Sequence, residues 1–399
     1  MFVGWTVQRY SPAELPFSQG YTASVQPGSA RNTALDGLRG YAAVAVVVYH
    51  AILSCNPHGY IVLEESVLAQ TNLADRALKT MLGIINGELA VGLFFTMSGL
   101  VLCRALVGME KRDGTIFGLS WRFLLRRVIR LWPVMAVCVV IHMTVLHAVD
   151  AVWPGSALQL PTLSDLFQNL TMQAPLVIGP TWTLQVELAG APWLLLSYLV
   201  IRRWGLLRAV PAMAAGFIVL RLTGVLYHPV GMLTGLAMLL SGLLIEACAM
   251  RGAIGADWWR VALPVGIAVA FGNELFVSQH GKLHAALLLI GSALIVGSIA
   301  TASSGRMRRM LEAPLSRFLG RISFSLYLLG TLLMLLLLGA VGGERAAAAP
   351  LLIGLSVGFC AVLLTIPIAT LSERWMEQPS IWLGRTLTRR VRSRCDPVL

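Results

Sequence analysis

Ten stretches of almost unbroken apolar residues run through the chain, near 37–55, 88–107, 127–148, 181–201, 206–226, 229–249, 258–276, 283–301, 322–341 and 349–371. Each comes close to the roughly 20 residues that a helix needs to cross a bilayer, with 258–276 giving the weakest signal. Polar and basic residues fill the intervals between them. This alternation predicts an all-α polytopic membrane protein, a bundle of about ten transmembrane helices. Residues 1–34 are mixed and polar, without the charged start and continuous apolar core of a signal peptide, and read as a cytoplasmic N-terminal tail. The transmembrane domain is expected over 35–384, followed by a basic cytoplasmic tail over 385–399.

Charge sets the orientation. With the N-terminus inside, the outer loops hold only Arg76, Lys79, Lys282 and Arg345 of the 31 Lys and Arg residues, and Arg221 falls within a span. The rest lie on the inner side, including Arg202, Arg203 and Arg208, the group from Arg306 to Arg321, and Arg385 to Arg394. The positive-inside rule therefore puts both termini in the cytoplasm. Composition agrees: 57% of the 399 residues are hydrophobic, 13% are charged, and the mean hydropathy is +0.74. The net charge of +12 accordingly implies membrane lipids and anionic ligands as partners, not nucleic acid. Six scattered cysteines show neither disulfide nor zinc spacing.

Chemistry enters with the first span. Arg39 and His50 are eleven residues apart, which returns a helix to within about 20° of the same face and separates the two by about 16 Å. A snorkelling arginine and a packed histidine would also fit the pattern. An ionisable group at that depth nevertheless normally faces a partner or a wet cavity. Further along, Arg122, Arg126 and Arg130 recur every four residues, with Arg127 beside them. Topology alone needs basic charge near the helix, whereas these run into the third span, as a phosphate site would require. If the fourth span descends from the outer surface, Trp182 starts it and Glu187 lies a turn or two in, at a depth shared with His50. One base and one acid at one depth is what an acid/base pair needs. Trp182 alone reads as an interfacial anchor, and Ser98-Gly99 as a close-packing pair. His142 and His147, five apart without nearby acidic partners, do not suggest a metal site, and no metal is expected.

Several of these motifs together resemble the membrane-bound acyltransferase-3 family of glycan and lipid O-acyltransferases. Asp36-Gly37-Leu38-Arg39-Gly40 through His50 is similar to its Arg-x10-His signature. Phe94-Phe95-x-x-Ser98-Gly99 resembles its second-helix motif, and Arg126-Arg127-x-x-Arg130 its arginine element. Trp182-Thr183-Leu184-x-x-Glu187, Gly320-Arg321-Ile322-Ser323-Phe324-Ser325-Leu326-Tyr327-Leu328 and Glu377-Gln378-Pro379 resemble three later blocks, all in order. Where many members carry a histidine after the Tyr-Leu-x block, this chain has Gly330. No extracytoplasmic hydrolase-like domain is expected after the spans, so transfer is expected to finish inside the membrane domain or with a separate partner.

The resemblance implies an O-acyltransferase of the cell inner membrane that uses acyl-CoA, acetyl-CoA first, and no metal. Arg39, Arg122, Arg126, Arg127 and Arg130 would bind the donor's phosphates. His50 would act as general base and Glu187 would orient it. Trp182, Thr183 and Ser98 would shape the site for a glycan or lipid-linked saccharide acceptor. The competing expectation is a proton-coupled transporter relaying through Arg39, His50 and Glu187. That reading predicts inverted repeats and broken helices in matching positions, and no convincing pair is visible.

Overall fold

The structure is a computed structural model that describes residues 32–395, apart from 57, 112–114, 154–159, 223–228, 253–256, 280 and 303. The expected N-terminal tail, up to residue 31, lies outside the described residues. Ten long helices occupy the ten apolar stretches: α1 (Thr33–Cys55), α2 (Gly87–Glu110), α3 (Ile116–Val152), α4 (Trp182–Trp204), α5 (Leu206–Leu222), α6 (Pro229–Met250), α7 (Trp259–Phe276), α8 (Lys282–Thr301), α9 (Pro314–Val341) and α10 (Pro350–Ser372). Among the described residues, eight spans are long and apolar enough to cross a bilayer, against the ten expected; α5 and α7 fall outside that set. No strand occurs among the described residues. The chain is an all-α polytopic membrane protein.

α1 is the central helix. It packs along α9 and α10 and touches α2, while α2 runs along α6 and α7 along α8. Close approach of backbones makes this possible, because lipid supplies no hydrophobic drive between helices. A Cβ built on Gly320 of α9 would stand 1.9 Å from the Asp36 carbonyl oxygen of α1. Another on Gly99 of α2 would stand 1.7 Å from the Leu239 carbonyl oxygen of α6. The close-packing role expected of Ser98-Gly99 is thus met at Gly99.

Short segments close the ends. Asn86, in the left-handed region at φ 39°, ends the helix Leu73–Ile85 and caps α2, its side chain accepting from the Leu89 N–H at 2.8 Å. After α10 comes a π turn, Glu373–Glu377, and then the helix Gln378–Cys395, which lies against α3. That last helix runs unbroken through the boundary drawn at 384/385: Arg126 Nε donates to Thr388 Oγ1 at 2.8 Å.

Candidate active site

A cavity of about 480 Å³ opens among α1, α2, α3, α4, α9 and the Gln378–Cys395 helix, toward the side where α1 begins. This end, where the basic residues gather, is the inner end below. Of the residues singled out from the sequence, Arg39, Ser98, Arg127, Arg130, Thr183 and Glu187 all line it. Its wall carries six arginines against three carboxylates, an excess of positive charge that favours an anionic ligand.

Some of that charge is already spent. Arg127 is buried, and its Nη2 donates to Glu187 Oε2 at 2.5 Å and to Ser98 Oγ at 2.9 Å. Arg104 donates to Glu246 at 2.8 Å, and Arg321 lies 4.0 Å from Glu373. Arg39 and Arg130 have no hydrogen-bond or ion-pair partner among the described residues, and Arg127 Nε is likewise unsatisfied. Two guanidiniums and a spare N–H therefore face one space. Such a set suits phosphate oxygens, which accept several charge-assisted bonds at once.

The arginine cluster divides. Arg127 and Arg130, three residues apart on α3, look into the cavity, whereas Arg126 is bonded to Thr388 and Arg122 does not reach the wall. The rotation of α3 is set by its apolar face, with Leu131, Val134, Met135 and Cys138 buried, and that rotation turns Arg126 toward the C-terminal helix.

Glu187 differs in depth from the surface-anchored expectation. The chain between the helix Leu163–Leu170 and α4 turns back into the bundle. Buried Asn169 accepts from the Val177 and Ile178 N–H groups, both at 3.0 Å, and donates to Thr181 Oγ1 at 2.9 Å. Trp132, near the middle of α3, donates to the Leu170 carbonyl at 3.0 Å. Tyr327, near the middle of α9, donates to the Pro180 carbonyl at 3.2 Å and to Thr183 Oγ1 at 3.4 Å. α4 accordingly starts midway through the bundle, and Glu187 meets Arg127 on the inner side. Trp182 packs on Phe95 with ring centroids 5.8 Å apart and does not line the cavity.

His50 is not among the lining residues either. It is half-buried on the Arg39 face of α1, but Ala43 and Val46, which lie between the two on that face, are 0% and 1% exposed and also absent from the wall. The outermost lining residues on the other helices are Phe94, Leu131, Thr183 and Tyr327, with the Phe94 and Tyr327 rings 5.8 Å apart. The cavity ends there. His50 Nδ1 sits 2.8 Å from the Val46 carbonyl oxygen. A carbonyl only accepts, so Nδ1 carries the hydrogen and Nε2 keeps its lone pair.

Glu377, at the end of the π turn, was noted in the sequence only as part of a motif. It lines the cavity and accepts from the Ser325 N–H at 3.2 Å and from the Ser325 hydroxyl. The π turn, a feature frequent at functional sites, is what aims it inward.

A family model described as an acyltransferase domain matches residues 32–371, most of the chain. The chain belongs to the acyltransferase-3 family. It is a membrane acyltransferase. No curated relative and no solved structure matches it. The acyltransferase carries all six motif blocks on elements that surround the cavity or, for His50, stand above it.

Proposed function

We propose that this acyltransferase moves an acyl group, acetyl first among candidates, from cytoplasmic acyl-CoA to a hydroxyl of an extracytoplasmic or lipid-linked glycan in the cell inner membrane. The observation that carries the reading is the pair of guanidiniums, Arg39 and Arg130, that make no hydrogen bond or ion pair among the described residues and line an inner cavity. A CoA thioester offers phosphates at one end and a narrow flexible arm at the other. Arg39, Arg130 and the spare Nε of Arg127 would hold the phosphates. Glu187 and Ser98 keep Arg127 in place rather than meeting the donor themselves.

The arm would extend the roughly 16 Å that eleven helical residues cover, from Arg39 to His50. This passage requires the Phe94–Tyr327 contact to part. At its far end, His50 Nε2 takes the hydroxyl proton as the oxygen attacks the thioester carbonyl. The carbon–sulfur bond then breaks, and the proton passes to the departing thiolate, so His50 ends neutral as it began. Thr183 would order polar groups of the passing substrate, and Trp182 would brace the start of α4 against Phe95. Labelled acetyl-CoA binding and transfer by the purified chain test the reading. Binding without transfer in His50→Ala is expected. Full transfer in that variant refutes His50 as the base, and absence of CoA binding in the wild type refutes the donor.

A further inference from the structure

A second cluster of ionisable groups stands at the other, outer end of the bundle. It is built where three helix ends meet: Glu88 in the first turn of α2, Glu274 in the last turn of α7, and His284 in the first turn of α8. One ligand atom from each lies within 4.8 Å of the other two. His284 Nε2 is 2.7 Å from Glu88 Oε2. Glu274 and His284 are 0% and 3% exposed, so water does not solvate them freely.

The partners around them leave atoms unsatisfied. Glu274 Oε1 accepts from Gln279 at 2.9 Å and has Lys79 Nζ 3.9 Å away, while Lys79 itself donates to the Leu63 carbonyl at 2.6 Å. Glu274 Oε2 and His284 Nδ1 have no partner. A buried carboxylate oxygen without a partner costs free energy comparable to a lost charged hydrogen bond, so a native site normally satisfies it.

We propose that Glu88, Glu274 and His284 hold one divalent first-row metal ion, joining the outer ends of α2, α7 and α8. The proposal does not depend on the acyl-transfer reading. Two carboxylate oxygens and one imidazole nitrogen suit manganese or zinc, and three protein ligands leave coordination positions for water. The two carboxylates balance the ion, and His284 ligates as a neutral ring. The groups facing the site are Lys79 from the Leu73–Ile85 helix, Glu88, Glu274 with Gln279, and His284. From α1, His50 feels the charge of Glu88. Lys79, 3.9 Å from Glu274 Oε1, is the cation that stands nearest the proposed ion. Sequence spacing gives no hint of this, because the three ligands come from distant parts of the chain.

The test uses the full chain in detergent, titrated with Mn²⁺ and followed by loss of the free-ion paramagnetic resonance signal. Manganese is chosen because it prefers oxygen and nitrogen, which keeps the cysteines out of the readout. One ion per chain is expected. His284→Ala and the partly exposed Glu88→Gln should each weaken binding roughly tenfold or more, as loss of a ligand does when loss of mere outer-shell support already costs 10–100-fold. Manganese should raise the melting temperature of the wild type and not of His284→Ala. No saturable uptake by the wild type, or equal uptake by wild type and both variants, overturns the proposal.

Discussion

Arg130 and Arg126 lie one helical turn apart in the same run of basic residues, and their environments set them apart sharply. Arg130 faces the cavity without a partner, whereas Arg126 donates to Thr388 at the back of α3. If the cavity receives the phosphates of an acyl-CoA, Arg130→Ala removes at least one charge-assisted hydrogen bond. Such a bond contributes about 1.5–3 kcal/mol, and about 1.4 kcal/mol corresponds to a factor of ten in the binding constant. Donor binding should therefore weaken roughly ten- to a hundredfold in Arg130→Ala. Arg126→Ala should stay within about fivefold, since an exposed or structural arginine contributes less than about 1 kcal/mol of such attraction. Isothermal titration of the purified protein with a non-hydrolysable CoA thioether measures both. The Arg130 effect should also shrink as salt rises, while the small Arg126 effect should not follow salt in the same way. Equal losses in the two variants would mean that the run acts as a diffuse basic surface. An unaffected Arg130→Ala would remove the cavity as the donor site.

His50→Ala should keep CoA binding near the wild-type value and lose about 10²–10⁴-fold in transfer, read with labelled acetyl-CoA and an acceptor glycan. Gly99→Ala would push a methyl group into the Leu239 carbonyl oxygen. It should destabilise the bundle at the upper end of the roughly 1–3 kcal/mol seen for overpacking, visible as a lower melting temperature in detergent. Gly330→His introduces the residue that the family resemblance implies at this position, but a Cβ there already stands 2.7 Å from Val47 Cγ2. The variant should therefore melt lower and gain no activity. An unchanged melting temperature would show that α9 can yield at that point.

Most of the bundle was legible in the sequence because spans depend on composition over some 20 residues, which tertiary contacts seldom override. Arg39 and His50 share a face of α1 for the same reason, since helical periodicity fixes it. Depth was less legible. Trp182 invites a surface assignment, yet a single buried asparagine, Asn169, organises a re-entrant turn that starts α4 halfway in and delivers Glu187 to Arg127 rather than to His50. Rotation was also hidden, because the arginines of α3 do not themselves set which side faces inward. The Glu88, Glu274 and His284 cluster left no trace in spacing, and Glu377 left only a motif.

The dry interval of α1 between Arg39 and His50 bears on how a cell survives an enzyme of this shape. A continuous file of water from the inner vestibule to the far side would let protons run down the membrane gradient. Ala43 and Val46 are buried against their neighbours and the Phe94 ring lies against that of Tyr327, packing that opposes such a file. If the acyl-CoA arm travels that interval, as proposed, it must itself plug it while passing, so turnover and insulation become one requirement on the same few side chains.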